Sequence, residues 1–148
     1  MLFHAVTVDL TDHSLPISAA RTHTRDTLAE HWYPDHALID DAIAVASELT
    51  ANAFKHALPP VFLSLNIFSE SLVVALTDSL PRHPVYWDRH SDSKSESGRG
   101  LLIVKKLSRT QGCEMRHKRK TVWAQLNTSG IASLKTGHYI TDLRTART

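Results

Sequence analysis

The sequence predicts an α+β fold, a two-layer α/β sandwich in which helices cover one face of a mostly antiparallel sheet. Segments with strand and helix patterns follow one another as strand, helix, helix, strand, strand, loop, helix, strand, strand. Consecutive strands can pair as antiparallel hairpins. Each helix pattern has one apolar stripe, which needs a sheet face to cover. The 148 residues fit one domain.

The first half of the chain predicts one strand and two helices. "LFHAVTVDL" alternates, and its terminal position favours the edge of the sheet. "SLPISAARTHTRDTLAEHWY" has helical spacing and ends before "PDH". "ALIDDAIAVASELTANAFKHA" is the strongest helix pattern, and "LPP" ends it because proline removes a hydrogen-bond donor. Its apolar stripe consists of Ala42, Val45, Ala46, Leu49 and Ala53.

The second half predicts two hairpins and one helix. "VFLSLNIF" and "SLVVALTD" are strands joined by a short polar turn, and a polar loop of about twenty residues follows. "GLLIVKKLSRT" predicts a helix that buries Leu101, Leu102, Val104 and Leu107. "CEMRH" and "TVWAQLN" predict a last hairpin around "KRK". We assign residues 1–128 to the domain and predict a mobile tail over 129–148.

The composition is that of an ordinary globular protein, with 42% hydrophobic and 22% charged residues. The net charge of +2 is too small to indicate nucleic-acid binding by itself. The single cysteine, Cys113, excludes an internal disulfide and is compatible with a reducing compartment. The sequence has neither signal-peptide features nor an apolar run of about 20 residues. We therefore expect a cytoplasmic protein with no membrane contact.

A polar stripe runs along the strongest helix pattern. Glu48, Asn52 and His56 are four residues apart and so share one helix face. A carboxylate and an amide beside an apolar stripe offer oxygen ligands for a hard cation such as Mg²⁺. Glu48 could also deprotonate a hydroxyl group. Taken alone, the same pattern is more typical of a solvated helix border.

Two further signals point to a ligand site. Gly98 and Gly100 lie where the polar loop enters a helix, and helix N-termini suit phosphate groups. Arg99 could add a charged contact. Asp78 ends a buried strand pattern, where its carboxylate could accept a hydrogen bond from an amino group such as that of adenine. The alternatives are a simple glycine-bearing loop and a turn-starting aspartate.

The three signals, in this order, resemble the GHKL ATPases, which have the Bergerat ATP-binding fold. The closer resemblance is to anti-sigma-factor serine kinases of the RsbW and SpoIIAB type, in their actinobacterial branch. "SELTANAFKHA" resembles the N box, "VALTDSLPRHP" the first glycine box and "SGRGLLIVKKLS" the second. "KTVWAQL" matches the closing strand, and the resemblance covers residues 5 to 127 approximately.

The resemblance implies ATP and Mg²⁺ as cofactors and assigns a role to each site residue. Asn52 would hold Mg²⁺, Glu48 would be the general base for a protein serine, and Asp78 would read the adenine amino group. The remaining residues implied at the nucleotide are His56, Gly98, Arg99, Gly100 and Leu101.

The same resemblance implies partners: a STAS-type anti-sigma-factor antagonist as phosphoacceptor, a sigma factor, and a second copy in a homodimer whose seam is the edge strand. One departure stands out, because "DSLPR" places Leu80 where the usual first box has glycine. A regulatory binding module with weak or no ATP binding and no phosphotransfer is therefore the alternative. A third hypothesis, nucleic-acid binding through the basic residues 116–120 and Trp123, is disfavoured by the modest net charge.

Overall fold

The computed structural model describes residues 2–31, 36–56, 59–79 and 96–127. Its elements follow the order predicted from the sequence. They are β1 (Leu2–Asp9), α1 (Pro16–His31), α2 (His36–His56), β2 (Phe62–Phe68), β3 (Ser71–Asp78), α3 (Glu96–Leu107), β4 (Thr110–Arg116) and β5 (Arg119–Asn127). The predicted tail over 129–148 lies outside the described residues.

The five strands form one open sheet in the order β1-β2-β3-β5-β4, and every neighbouring pair is antiparallel. The predicted α+β fold with a mostly antiparallel sheet is thus confirmed. The strand β1 lies at one edge, as its terminal position predicted. The strand β3 is central, and β2 and β5 flank it along nearly its whole length.

The core lies between the sheet and α2. Alternate residues of the inner strands point toward the helices and are buried, as the period of two in a strand requires. The predicted stripe of α2 is buried in full, from Ala42 to Ala53. The helix α1 packs on α2. The helix α3 also packs on α2, and it contacts β4. No helix among the described residues is both long and apolar enough to cross a membrane.

Two details of α3 correct the sequence-based expectation. The helix begins at Glu96, so Gly98 and Gly100 lie in its first turns and not in a loop before it. Glycine costs a helix about 1 kcal/mol relative to alanine but does not forbid it, and Val104, fully buried, anchors this helix to the core. Leu102, predicted inside, is 53% exposed because it lies about 160° of helical rotation behind Val104.

The last hairpin also turns earlier than predicted. His117 and Lys118 have positive φ angles of 47° and 65°, so the turn occupies these two residues and not the predicted "KRK". Two-residue turns of this left-handed kind match the twist of the flanking strands. Consequently Arg119 and Lys120 belong to β5.

The sheet face away from the helices carries a close contact between β4 and β5. Gly112 is paired with Trp123, and the indole of Trp123 lies across the glycine. A Cβ atom at residue 112 would stand only 2.6 Å from Cζ2 of Trp123. The absence of a side chain at Gly112 is therefore what lets the indole lie flat on the sheet.

Gly112→Ala should lower the free energy of unfolding by about 1–3 kcal/mol, because the added methyl group displaces the indole. Urea denaturation measures this loss. In a Trp123→Leu background the same substitution should cost much less, since the leucine side chain can move aside. An equal loss in both backgrounds would contradict the contact as its cause.

His23 on α1 is half-buried, and its Nε2 atom has no hydrogen-bond partner within the described part of the chain. Burial lowers the pKa of the His23 imidazole, and the carboxylate of Asp26 opposes this only in part. The folded protein therefore favours neutral His23. The stability that this contributes is present above the unfolded pKa of about 6.5 and is lost as the pH falls through the folded value.

The free energy of unfolding should consequently fall between pH 7.5 and pH 5 more steeply in the wild type than in His23→Leu, which cannot take up this proton on unfolding. Urea denaturation at several pH values gives the comparison. His13→Gln, a change at an exposed histidine, is the matched control and should follow the wild type. Parallel curves for the wild type and His23→Leu would refute the assignment.

Candidate functional site

A buried ion pair lies at the end of the central strand. Asp78 is the last residue of β3, and Lys120 stands directly opposite it in β5. The Nζ atom of Lys120 is 3.4 Å from Oδ2 of Asp78, and the two side chains are only 5% and 2% exposed. Both side chains follow the alternation of their strands, which places them on the helix-facing side with the core.

The stability of this ion pair is set by the cost of removing both charges from water and by their mutual attraction. Burying a carboxylate and an ammonium costs several kcal/mol each, and their mutual attraction compensates only while both are present. The adjacent pair of the ladder adds a fixed contact, because the hydroxyls of Thr77 and Thr121 share a 2.8 Å hydrogen bond. The register at this end of the sheet is therefore held by a charge pair and a hydroxyl pair.

Cys113 on β4 lies close enough to Asp78 and Lys120 for their charges to affect the pKa of its thiol. Burial raises the pKa of the Cys113 thiol, the Lys120 ammonium opposes this shift, and the Asp78 and Glu114 carboxylates add to it. The thiol therefore stays protonated near neutral pH and is a poor nucleophile. This chemistry agrees with the small buried role that cysteines usually have and gives no sign of a catalytic thiol.

Asn52 lies on α2, is 5% exposed, and has an Nδ2 atom without a hydrogen-bond partner among the described residues. A buried amide donor with no partner costs about 1–3 kcal/mol. An amide offers an oxygen ligand to a cation and an N–H donor to a phosphate oxygen. A cation with its phosphate ligand would therefore supply what this side chain lacks.

Glu48 lies one turn before Asn52 on α2 and is half-buried. Their spacing of four residues places them on one helix face. Lys55, near the end of the same helix, is exposed. The structure thus keeps the acid and the amide of the predicted polar stripe together, one buried and one partly open to solvent.

The other predicted residues lie at helix ends. His56 is the last residue of α2, and Gly98, Arg99, Gly100 and Leu101 lie in the first turns of α3. The side chains of His56, Arg99 and Leu101 are outside the described part of the structure, as is the whole of Leu80. Because α3 packs on α2, and α2 packs on β3 and β5, the elements that carry the predicted site residues form one contiguous unit.

Lys120 is the residue of this region that sequence reasoning missed. The sequence pattern places it in the predicted "KRK" turn, yet it is 4% exposed. The signal was present in the alternation of β5. Counting back in steps of two from the apolar residues Leu126, Ala124 and Val122 reaches Lys120 on the same buried face.

The side chains of this region suit Mg²⁺ better than they suit a metal ion whose ligands all come from the protein. Within the described residues, no group of three or more His, Cys, Asp and Glu side chains could hold a metal ion. Mg²⁺ commonly takes one or two protein oxygens and completes its shell with water and substrate phosphates. Asn52 and Glu48 offer oxygens of that kind.

Comparison with known proteins decides the family. Residues 12–126 match the family model of the histidine kinase-like ATPase domain. The chain belongs to this family. The membership confirms the ATPase-domain prediction made from the N box and the two glycine boxes, and the matched region includes Glu48, Asn52, Asp78 and Lys120. No curated protein matches the chain.

Lys120→Met should lower the free energy of unfolding by about 3–5 kcal/mol, because it leaves the buried carboxylate of Asp78 without its counter-charge. Thermal and urea denaturation measure the loss. The double variant Asp78→Asn with Lys120→Met should recover most of it, since no buried charge then lacks its partner. Lys118→Met, at the exposed turn, is the control and should be nearly neutral. A fully stable Lys120→Met protein would contradict the ion pair's role.

Proposed function

We propose that this protein binds ATP with Mg²⁺ and acts as a regulatory protein-serine kinase of the anti-sigma-factor type. The observation that carries the proposal is the amide of Asn52. It is buried on α2 of a histidine kinase-like ATPase domain, and its Nδ2 atom has no partner in the described part of the chain. A nucleotide phosphate and its cation would satisfy this amide.

Each predicted site residue has a part in holding the nucleotide. Asn52 holds Mg²⁺ through its amide oxygen, and Asp78 accepts a hydrogen bond from the adenine amino group. The backbone of residues 98–101 and the side chains of Arg99 and His56 contact the phosphates. When bound, Mg²⁺ neutralises charge on the phosphate oxygens, which is most of what phosphoryl transfer requires besides positioning.

Glu48 is the proposed general base. Its carboxylate accepts the proton of a serine hydroxyl on a partner protein as that oxygen forms a bond to the γ-phosphorus. The bond from phosphorus to the bridging oxygen breaks, and ADP leaves with the electron pair. The partial exposure of Glu48 leaves room for a partner's serine to approach.

The proposed phosphoacceptor is a STAS-type anti-sigma-factor antagonist, and the alternate partner is a sigma factor. We further propose a homodimer that uses the edge strand β1, which ends the described sheet. An edge strand presents backbone groups that can pair with another chain.

A second candidate function is a regulatory binding module that binds ATP weakly or not at all and transfers no phosphate. Two observations favour it. The carboxylate of Asp78 is engaged by Lys120 at 3.4 Å, and Leu80 stands where the first glycine box usually has glycine. Transfer of radioactive phosphate from ATP to a STAS-domain partner separates the two functions, because only the kinase produces a labelled partner.

Asn52→Ala should abolish Mg²⁺-dependent ATP binding and leave the free energy of unfolding almost unchanged, because the lost amide donor has no hydrogen-bond partner among the described residues to give up. Calorimetric titration of ATP with and without Mg²⁺ measures the binding. The matched control is Thr50→Val on the same helix, since Thr50 is also buried and its hydroxyl has no partner among the described residues. Thr50→Val should bind ATP as the wild type does. Retained Mg²⁺-dependent binding by Asn52→Ala would contradict the assignment.

Glu48→Gln should bind ATP with nearly wild-type affinity and slow phosphate transfer by about 10²–10⁴-fold, because the amide cannot accept the serine proton. The rate of labelling of the partner at saturating ATP provides the measurement. Asp40→Asn, at an exposed acid on the same helix, is the control. Normal transfer by Glu48→Gln would rule out the general-base role.

A further inference from the structure

We infer that Lys120 is a specificity-determining residue of the nucleotide site. Its ammonium group donates a hydrogen bond to N1 of adenine while Asp78 accepts one from the neighbouring amino group. The inference rests on the proposed function, in which ATP binds beside Asp78, and it adds a second protein contact to the base.

The geometry of the ion pair carries this inference. Lys120 and Asp78 are directly opposite in the register of β5 and β3, with Nζ and Oδ2 3.4 Å apart. They therefore present one donor and one acceptor side by side. Adenine presents the complementary pair along its Watson–Crick edge, where the amino group is a donor and N1 is an acceptor. Enzymes that take a base into a pocket read it by hydrogen bonds to this edge.

The hydrogen-bonding capacity of the Lys120 ammonium leaves room for a base. An ammonium has three donors, so its contact with the Asp78 carboxylate uses only part of that capacity. The ammonium is nevertheless almost closed off from water, because the Lys120 side chain is 5% exposed. A ligand acceptor at this position would contact a charged donor that water hardly reaches, and a charge interacts more strongly where water is excluded.

Stability alone does not explain why a lysine is buried at this position. Lysine is almost never fully buried unless it is paired. Replacing a buried ion pair by apolar side chains of similar volume is often neutral or stabilising. A charge pair at the end of a central strand is therefore better explained by what it can recognise. A site built to hydrogen-bond a ligand rejects analogues that lack the matching group.

The pair is also preorganised. The hydroxyl contact between Thr77 and Thr121 fixes the neighbouring pair of the ladder at 2.8 Å. Both strands are part of the central sheet, so the donor and the acceptor are held in place before the base arrives. Preorganised groups lose little conformational freedom on binding, which favours affinity.

The test is calorimetric titration of the full chain in Mg²⁺ with ATP, 1-deaza-ATP, 7-deaza-ATP and GTP. The 1-deaza analogue has C–H in place of N1, while 7-deaza-ATP keeps the Watson–Crick edge intact. Wild-type protein should lose about tenfold to a hundredfold in affinity for 1-deaza-ATP, the range expected for a hydrogen bond to a charged group. It should bind 7-deaza-ATP nearly as well as ATP.

Lys120→Met supplies the second half of the test. It should bind ATP as weakly as the wild type binds 1-deaza-ATP, and it should bind both nucleotides within about twofold of each other, because the group that contacts N1 is gone. A lysine with only a structural role would instead give two independent losses that multiply. Lys118→Met, at the exposed turn, should bind all four nucleotides as the wild type does.

Three results would overturn the inference. They are equal wild-type affinities for ATP and 1-deaza-ATP, independent losses in Lys120→Met, and tighter binding of GTP than of ATP, which would mean that the pair reads the guanine edge. The first and third need only wild-type protein, so an unfolded Lys120→Met variant does not remove the test. Failure of the proposed function looks different, since the wild type would then bind none of the four nucleotides.

Discussion

The pairing of β3 with β5 is the constraint on which the rest of the structure depends. It joins the two halves of the sheet, since β1 and β2 lie on one side and β4 on the other. It also sets which side chains meet beneath the helices. A shift of one residue would turn the buried face of β5 toward solvent, and it would separate Lys120 from Asp78. The core and the candidate site therefore share one register.

The helix α2 shows how fold and site use the same element. Its apolar stripe covers the sheet, and Asn52 and Glu48 lie beside that stripe. Asn52 could not be exposed without lifting the helix from the core, and so its amide is held buried by packing that it does not itself provide. The packing of the helix holds the Asn52 amide in place, although its Nδ2 atom has no hydrogen-bond partner among the described residues.

Local patterns predicted most of the fold. The element order and the buried stripe of α2 follow from periodicities of two and 3.6 within the segments. The strand over residues 71–78 follows from a short apolar run that ends at Asp78. Two of the incorrect predictions are instructive. The helix α3 begins at Glu96, although Gly98 and Gly100 locally disfavour a helix. The burial of Lys120 depends on Asp78, which is 42 residues earlier in the chain. In the sequence, the basic residues 116–120 suggest an exposed surface. Only the position of Asp78 in the fold explains why Lys120 is buried.

The ion pair also bears on how this chain can diverge. Asp78 and Lys120 are each nearly excluded from water, so the loss of either one alone leaves an uncompensated charge in the core. A lineage that abandons the pair has to cross an unstable single-substitution intermediate or change both positions together. Residues 78 and 120 should therefore covary among related sequences. Relatives that lack the acid should lack the lysine as well, even though 42 residues separate the two positions in sequence.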